Sequence, residues 1–496
     1  MALANRNILR TPSALRSGAL TGLAQIVIAL AAAGAGALLA HKFGRTAETD
    51  GFLAAYGVYL VLVLAAQAFR LVVVPDLTRA AAEGRLGAES RAFALAFLAL
   101  AVPASVLVAV FSGPLGNLVT GSLPPTSAHI AGRALEVLVP AAFGQLLAAL
   151  AASALAAIDS YGTAAGGFAI GGIAGLVVFV VLADGHGIIA LAWGLAANAA
   201  IAFTIPAVAL VRKHALTGAS LERVDVLPRL WHLLEGAAVP LALQGCYLLA
   251  LRFAAKLGVG SVTTFSYAYL AASTLVGATA FSVGLISSAP LTRRGVDEEE
   301  AGRHVVHAAW VSLSLVGAAA GVFALVGGRI VQFVLGNAYS GQVGRNLGHL
   351  VAYLSPWMVA WVGFAVTFPL VFVAGKRKTL MPLAVLGFAI CVPLGLALRS
   401  AWGLPGLAIA IGVATLVIAL GLMRAISSRT LAIAAVGLAR LAVAVGGAAV
   451  LAFGGLSFAL SPAPAAAAGL VVYALLIFSL RSLGLTAAWA YVRGLH

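Results

Sequence analysis

The run TAAGGFAIGGIAGLVVFVVLA at residues 163–183 decides the fold class of this chain. It carries no charge and has about the 20 residues that a helix needs to cross the hydrocarbon core of a bilayer. Its apolar residues do not alternate with polar ones, which argues against a strand of a transmembrane barrel. We predict a membrane-spanning helix whose small residues allow a neighbouring helix to approach closely. These glycines are Gly166, Gly167, Gly171, Gly172 and Gly175, with Gly162 directly before the run.

Similar runs recur along the whole chain of 496 residues, which is 62% hydrophobic and only 9% charged. Soluble proteins carry about 25% charged residues, so this composition predicts an all-α integral membrane protein. The runs predict 14 transmembrane helices, and no connection between them is long enough to hold a soluble domain. They lie at about 17–40, 51–74, 91–112, 133–157, 163–183, 187–211, 231–254, 263–289, 304–326, 347–373, 379–398, 402–423, 432–459 and 466–490.

The net charge of +15 comes from 30 Lys and Arg residues, nearly all in short connections or near helix ends. In a soluble protein this charge would suggest nucleic acid, but here it predicts topology, because basic loops stay on the cytoplasmic side. With a cytoplasmic N-terminus, twenty basic residues fall on the cytoplasmic side and eight on the other, and Arg70 and Arg440 fall within spans. This split predicts that both termini are cytoplasmic. The eight are Lys42, Arg45, Arg133, Arg252, Lys256, Arg329, Arg345 and Arg399.

An internal repeat runs through the first twelve predicted helices. Lys42-Phe43-Gly44 recurs as Lys256-Leu257-Gly258, and Gly187 recurs as Gly403. These and other matches have offsets of 214 to 216 residues, which predicts two parallel six-helix repeats related by an axis along the membrane normal. The predicted units are an N-terminal lobe at 1–211, a C-terminal lobe at 212–424, and two C-terminal helices at 425–496.

Two like-oriented lobes are typical of a transporter that rocks about a central interface. The sequence contains no P-loop, no G-x-S-x-G motif, no cluster of metal ligands and no dinucleotide fingerprint. We therefore predict a protein that is not an enzyme and that has no cofactor and no metal site. Cys246 and Cys391 lie in apolar runs and are predicted to be core residues. Prolines within the spans predict kinks, among them Pro140 and Pro356.

Several of these residues also carry a resemblance to a known family. Thr49-Asp50-Gly51-Phe52 and Val74-Pro75, with Phe43-Gly44 before them, resemble the first two helices of the MurJ/MviN-like lipid II flippases. The stretch 253–263, followed by Tyr267-Ala268, resembles that family's junction between helices 7 and 8. Val334-Leu335-Gly336 and Pro356 fit as well. The resemblance covers nearly the whole chain. It implies the fourteen-helix fold of the multidrug/oligosaccharidyl-lipid/polysaccharide (MOP) exporter superfamily.

The departures from the family concern its chemistry. In the family, arginines in the cavity hold a lipid pyrophosphate. In this sequence, Ala35 stands at the position of the first arginine, and Val63 lies near the position of the second. Tyr269-Leu270 stands where the family has an Asp-Arg pair. Asp50 and Gln244 match polar family positions. Residues 379–423 contain no Asp, Glu, Asn or Gln, so the resemblance carries over neither sodium coupling nor lipid II itself as the substrate.

Polar residues within or beside the spans are the candidates for substrate binding, because desolvation makes them costly. Arg70 is expected either to meet a lipid phosphate in a cavity or to snorkel to the headgroups. Arg252 and Lys256, with Lys42, are expected to form a basic outer gate or to anchor the interface. Asp50 either caps helix 2 after Thr49 or pairs with Lys42, Arg45 or Lys256. The neutral candidates suit a sugar-lined cavity or hydrogen bonds between helices: Gln25, Gln67 and Gln244.

These observations predict a flippase or transporter of polyprenyl-linked glycan precursors, working by alternating access in the bacterial cytoplasmic (inner) membrane. The substrate is expected to be a peptidoglycan lipid II-like molecule or a polysaccharide repeat unit. Two alternatives stay open: a multidrug or organic-cation antiporter of the same superfamily, and a non-transporting membrane scaffold. The expected partners are the lipid-linked glycan, membrane lipids and cell-envelope synthesis proteins, and no nucleic acid.

Overall fold

The computed structural model describes residues 12–158, 160–215, 226–277 and 297–480. Every regular element in these ranges is helical. We number the α-helices in chain order: α1 (Pro12–Phe43), α2 (Ala47–Ala82), α3 (Leu86–Val110), α4 (Ser112–Thr120), α5 (Pro125–Ala157), α6 (Tyr161–His186), α7 (Ala190–Arg212), α8 (Val226–Ala254), α9 (Ser261–Val276), α10 (Glu298–Leu335), α11 (Gly341–Tyr353), α12 (Ser355–Val373), α13 (Leu380–Trp402), α14 (Leu404–Ile426), α15 (Ser428–Ala449) and α16 (Pro462–Ser479). A π-helical segment and a short helical turn continue α15 to Ser457.

Twelve stretches of the described residues are long and apolar enough to cross a membrane, and the protein is a multi-pass membrane protein. One stretch, Tyr161–Arg212, contains both α6 and α7, which pack along each other. The helix α9 falls short of the required length within the described residues, and most of the predicted span after Val276 lies outside them. Within the described residues, each of the fourteen predicted segments coincides with helix, while the count of fourteen stays a prediction.

The predicted repeat has a counterpart in the backbone. Gly187 and Gly403 both adopt left-handed φ, at 59° and 61°, between a helix that ends and a helix that begins. Gly44 and Gly258 do the same at 63° and 102°. A residue with a side chain rarely adopts this backbone conformation, so glycine is required where the chain turns from one span to the next. The two halves of the chain therefore turn at equivalent positions.

The two halves differ at α4. The helix before α4 is α3, which ends at Val110. It ends there because Pro114 lacks an N–H and its ring would clash with the carbonyl of residue 110. The position equivalent to Pro114 is Arg329, and there α10 runs on without a break to Leu335. A second difference concerns Pro356. The helix breaks at Leu354 and Pro356 lies in the first turn of α12, whereas Pro140 lies inside α5.

Three glycines of α6, Gly167, Gly171 and Gly175, allow the close packing predicted for them, whereas Gly166 faces open space. A Cβ built on Gly175 would lie 2.6 Å from the carbonyl oxygen of Gly194 on α7, and a Cβ on Gly194 would lie 2.5 Å from that of Gly175. No larger residue fits at either position without moving the backbone. Small residues thus allow two helix backbones to touch, since lipid supplies little hydrophobic driving force between helices.

Two compact units divide the chain. The first comprises Met1–Lys42, Ala55–Thr120 and Pro124–Ala237, and the second comprises Phe43–Ala54, Gly121–Leu123 and Ala238–His496. In the first unit, Arg229 at the start of α8 donates two hydrogen bonds of 3.0 and 2.9 Å to Glu89 of α3. The second unit contains two short segments from the first half of the sequence, one of which includes the start of α2. The predicted limits at 211 and 424 follow the repeat and stay a prediction.

Candidate functional site

The start of α2 is capped from its own sequence. Thr46 precedes the first helical residue, and its Oγ1 accepts a hydrogen bond of 3.3 Å from the backbone N–H of Thr49. Its carbonyl accepts the N–H of Asp50 at 3.0 Å. Thr46 is therefore the N-cap of α2, and the Asp50 side chain is left for another partner.

That partner is the start of α9, in the same compact unit as residues 43–54. The residue before α9 is Gly260, with φ of 83°, and it has no side chain to cap the helix. The carboxylate of Asp50 accepts the backbone N–H of Gly260, the N–H of Thr263 at 2.8 Å and the Thr263 hydroxyl at 2.5 Å. Asp50 is fully buried. It is a cap supplied from 210 residues away, and the positive end of α9 stabilises its negative charge.

Arg45 and Tyr339 complete the arrangement. Nε of Arg45 donates to the carbonyl of Gly260 at 2.9 Å and to Thr264 Oγ1 at 3.2 Å. The Tyr339 hydroxyl donates to the carbonyl of Gly44 at 3.2 Å. Burial raises the pKa of Tyr339 above its ordinary value, so this hydroxyl stays a neutral donor. We call this group the Asp50 clasp: Gly44, Arg45, Asp50, Gly260, Thr263, Thr264 and Tyr339.

The clasp corrects two expectations for Asp50. Asp50 does not cap its own helix, α2, after Thr49. Its carboxylate accepts hydrogen bonds from Gly260 and Thr263 and does not bond to a cation. Arg45 contributes favourable electrostatics to Asp50 but bonds to other groups. Lys42 pairs instead with Asp184 of α6.

The cations predicted for an outer gate have different environments. Lys256 lies in the turn after α8 and is exposed. Arg252 lies in the last turn of α8 and is half-buried. Its Nη1 atom is buried and has no hydrogen-bond partner in the described part of the chain. The Gly121 turn lies against this side chain, since a Cβ on Gly121 would be 3.8 Å from Arg252 Nη1.

Gln244 belongs to a buried cluster of aromatic residues in the second unit. Its Oε1 accepts a hydrogen bond of 3.3 Å from the Tyr269 hydroxyl, and Tyr269 stacks on Tyr247 with ring centroids 3.9 Å apart. Tyr247 bonds to Ser266 at 2.9 Å, and Trp357 lies 4.7 Å from the Tyr269 ring. The family's charged pair is thus replaced at Tyr269 by a neutral group whose hydroxyl has its own buried partner.

The remaining candidates lie on the first two helices. The Arg70 side chain on α2 is exposed, which fits either predicted role. Gln25 and Gln67 lie on α1 and α2, and their side chains are outside the described part of the structure. The structure therefore joins Asp50 to the start of α9 and Gln244 to Tyr269. It does not bring the seven candidates into one cluster within the described residues.

The partners of Asp50 were not predicted from the sequence. Gly260 and Thr263 were seen only as part of the family junction, and Tyr339 was not singled out. One signal was available: a glycine directly before a helix start leaves N–H groups without a local acceptor, so a buried carboxylate elsewhere becomes a candidate partner. Arg399 was counted only for topology, but its Nη1 is also buried without a partner among the described residues.

No family model matches the sequence, and no curated protein matches it. Solved structures do match. The lipid II flippase MurJ, in an inward closed conformation, aligns with a TM-score of 0.71 and 15% identity over 94% of this chain and 99% of its own. A multidrug resistance MATE family transporter of the MOP superfamily, in an inward-facing conformation, aligns with a TM-score of 0.64 and 13% identity, covering 84% and 95%. A MOP superfamily transporter from Pyrococcus furiosus aligns with a TM-score of 0.58 and 14% identity, covering 87% and 96%.

At these identities the likeness concerns the fold. It confirms the prediction of an all-α membrane protein with the MOP flippase fold, similar to MurJ. The neighbours are flippases and transporters rather than enzymes.

Proposed function

We propose, from the fold that this chain shares with MurJ and the MATE transporters, that it is a flippase for polyprenyl-linked glycan precursors in the bacterial cytoplasmic membrane. The observation that carries the proposal is the MurJ alignment, which extends over 94% of this chain and 99% of that one. The multidrug transporter covers less of this chain, 84%, although 95% of its own length is aligned. A larger share of this chain thus has a counterpart in the flippase.

The clasp supports an alternating-access mechanism. It ties the start of α2 to the start of α9 through a buried carboxylate with three donors. These two helix starts come from equivalent positions of the sequence repeat and face the predicted outer side. In the proposed cycle, the predicted lobes at 1–211 and 212–424 rock, and the clasp has to open for the start of α2 to leave the start of α9.

The substrate contacts follow from the polar residues of the spans. Arg70 is proposed to meet the anionic phosphate of the lipid, because a guanidinium fork matches phosphate oxygens. Gln25 and Gln67 are proposed to act as neutral hydrogen-bonding groups for sugar, whereas Gln244 is buried and bonds to Tyr269 in this conformation. An anionic headgroup that moves outward responds to membrane potential by about 2.3 kcal/mol per charge per 100 mV. Voltage is therefore the proposed source of energy.

The test uses the purified full-length chain in proteoliposomes that contain a polyprenyl-pyrophosphate disaccharide with a fluorophore on the sugar. Quenching from outside measures how fast the internal pool becomes accessible. We expect faster translocation than in protein-free vesicles, and an acceleration when an imposed potential favours outward movement of an anion. Arg70→Gln is expected to slow transport. Arg424→Gln, which changes an exposed arginine at the end of α14, is the matched control.

The alternatives predict different results in the same vesicles. A multidrug antiporter would leave the labelled glycan lipid in place and would exchange an organic cation such as ethidium for protons or sodium. A scaffold would move neither, and both arginine variants would behave as the unmodified protein. Either result would refute the proposed function.

A further inference from the structure

The helices α8 and α13 form a parallel pair in the second unit. A Cβ on Gly245 of α8 would lie 2.9 Å from the Phe388 ring of α13. Further along both helices, a Cβ on Gly395 would lie 2.8 Å from the Phe253 ring. The contacts advance in the same direction on both helices. The faces carrying Gly245 and Phe388 are therefore turned toward each other along this length.

A groove follows this pair. Its volume is about 380 Å³, and it is lined by Ala242 of α8 and by Ala384, Val385, Phe388 and Ala389 of α13. Every lining residue is apolar. Val385 is 63% exposed and Phe388 is 38% exposed, so the groove opens on the surface of the unit. In a bilayer such a surface groove is accessible to hydrocarbon chains.

Helical spacing places two arginines beyond the groove on these facing surfaces. Arg252 follows Gly245 by seven residues and Arg399 follows Gly395 by four, spacings that keep each residue on one face of its helix. The Arg399 guanidinium lies over the Phe253 ring, 5.9 Å from its centroid. Both side chains are half-buried, and each has an Nη1 atom that is buried without a partner among the described residues.

We propose that the crevice between α8 and α13 binds an anionic phospholipid of the bilayer. Its phosphate accepts hydrogen bonds from Arg252 and Arg399, and one acyl chain lies in the apolar groove. Ala242 lies ten residues before Arg252, or about 15 Å along a helix, a depth that an acyl chain reaches from its headgroup. Guanidinium groups pair with phosphate through charge-assisted hydrogen bonds.

The groove distinguishes this ligand from others with the same phosphate. A free phosphate ion would use the two arginines but would leave the apolar groove without function. A transported glycan lipid carries a large polar headgroup, and the lining residues offer it no hydrogen-bonding side chain. The site is independent of the transport proposal, because it would hold its lipid whether or not the protein is a flippase.

The test is native mass spectrometry of the purified full-length protein, titrated with phosphatidylglycerol or with phosphatidylcholine of the same chains. We expect a phosphatidylglycerol adduct whose affinity falls at least tenfold in the double variant Arg252→Gln, Arg399→Gln. Arg329→Gln removes an exposed arginine on the same predicted side and should change nothing. Ala389→Trp fills the groove from an exposed position and should weaken binding although both arginines remain.

Four outcomes would overturn the proposal. The first is equal phosphatidylglycerol binding in the double variant and in Arg329→Gln, and the second is equal binding of the two lipids. The third is unchanged binding in Ala389→Trp, which would assign the phosphate to the arginines without the groove. The fourth is displacement of phosphatidylglycerol by a polyprenyl pyrophosphate at equal concentration, which would assign the crevice to the transported lipid.

Discussion

The starts of α2 and α9 occupy equivalent positions in the sequence repeat, yet they are stabilised in opposite ways. Thr46 caps α2 through its own hydroxyl, and its repeat equivalent is Gly260, which has no side chain. Asp50 of α2 supplies the missing cap, whereas its own equivalent in α9 is Thr264. A duplicated element has thus become asymmetric, because one copy keeps a local cap and the other depends on a distant carboxylate.

The difference teaches how a repeat couples its two copies. A local cap stabilises one helix and leaves the rest of the chain independent of it. A distant cap makes the stability of one helix conditional on the position of another. A movement between the two sequence repeats would therefore change the stability of the start of α9, and experiments can measure this change.

The largest effect is expected for Asp50→Ala. It leaves the N–H groups of Gly260 and Thr263 without their buried acceptor, which should cost about 3 kcal/mol of unfolding free energy. Thermal unfolding of the purified protein measures the loss, and amide hydrogen exchange at 260–264 locates it. Asp184→Ala, at an exposed carboxylate, is the control. Unchanged exchange at 260–264 would show that α9 does not depend on this cap.

Gly260→Ala should come next. The left-handed φ of 83° costs a residue with a Cβ about 1–2 kcal/mol. The added Cβ would also lie 2.3 Å from Arg45 Nε, so Arg45 must move. In the double variant Gly260→Ala, Arg45→Ala, the destabilisation caused by the clash should disappear, while the cost of the left-handed φ should remain. A double-mutant cycle of unfolding free energies measures this difference.

The control for Gly260 is Gly258→Ala, where φ is 102° and the space around a Cβ is open. This variant should show the conformational cost without coupling to Arg45. If both glycine variants couple equally to Arg45→Ala, then the close approach at Gly260 is not what determines its effect.

Thr46→Ala should have a smaller and more local effect. Loss of an N-cap hydroxyl costs about 1 kcal/mol, and the exchange of the Thr49 amide should rise while that of Thr263 does not. Thr204→Ala removes a hydroxyl that bonds within its own helix, and it serves as the comparison. A rise at Thr263 in the Thr46 variant would contradict the separation between local and distant caps.

The smallest effect is expected for the exposed pair of Lys42 and Asp184. The Asp184 side chain is 89% exposed, and exposed ion pairs contribute about 0–1 kcal/mol and are screened by salt. Lys42→Ala should therefore shift the melting temperature only slightly at low salt and not at high salt. A loss as large as that of Asp50→Ala would mean that the pair has a role that its exposure does not suggest.

Much of the fold was predictable because a lipid environment accepts any apolar side chain but requires every backbone N–H and C=O group to be hydrogen-bonded within the protein. Every predicted segment, from 17–40 to 466–490, coincides with helix in the described residues. The candidate site was predicted less well. Asp50, Arg252 and Gln244 were selected as polar residues in apolar runs, and their role in substrate binding stays a prediction. The partners of Asp50 and Gln244 lie on other helices, and helical periodicity carries no information about those.

The sequence by itself determined that the chain spans a membrane, where its helices lie, and that it turns at Gly44, Gly187, Gly258 and Gly403. These depend on hydropathy, chain length and local backbone strain, which act within a few residues. Only the tertiary structure decided that Asp50 caps α9, that Lys42 pairs with Asp184, and that Arg399 of α13 lies over Phe253 of α8. A buried polar group takes whichever partner the packed helices bring near, and that choice is made across more than 140 residues of sequence.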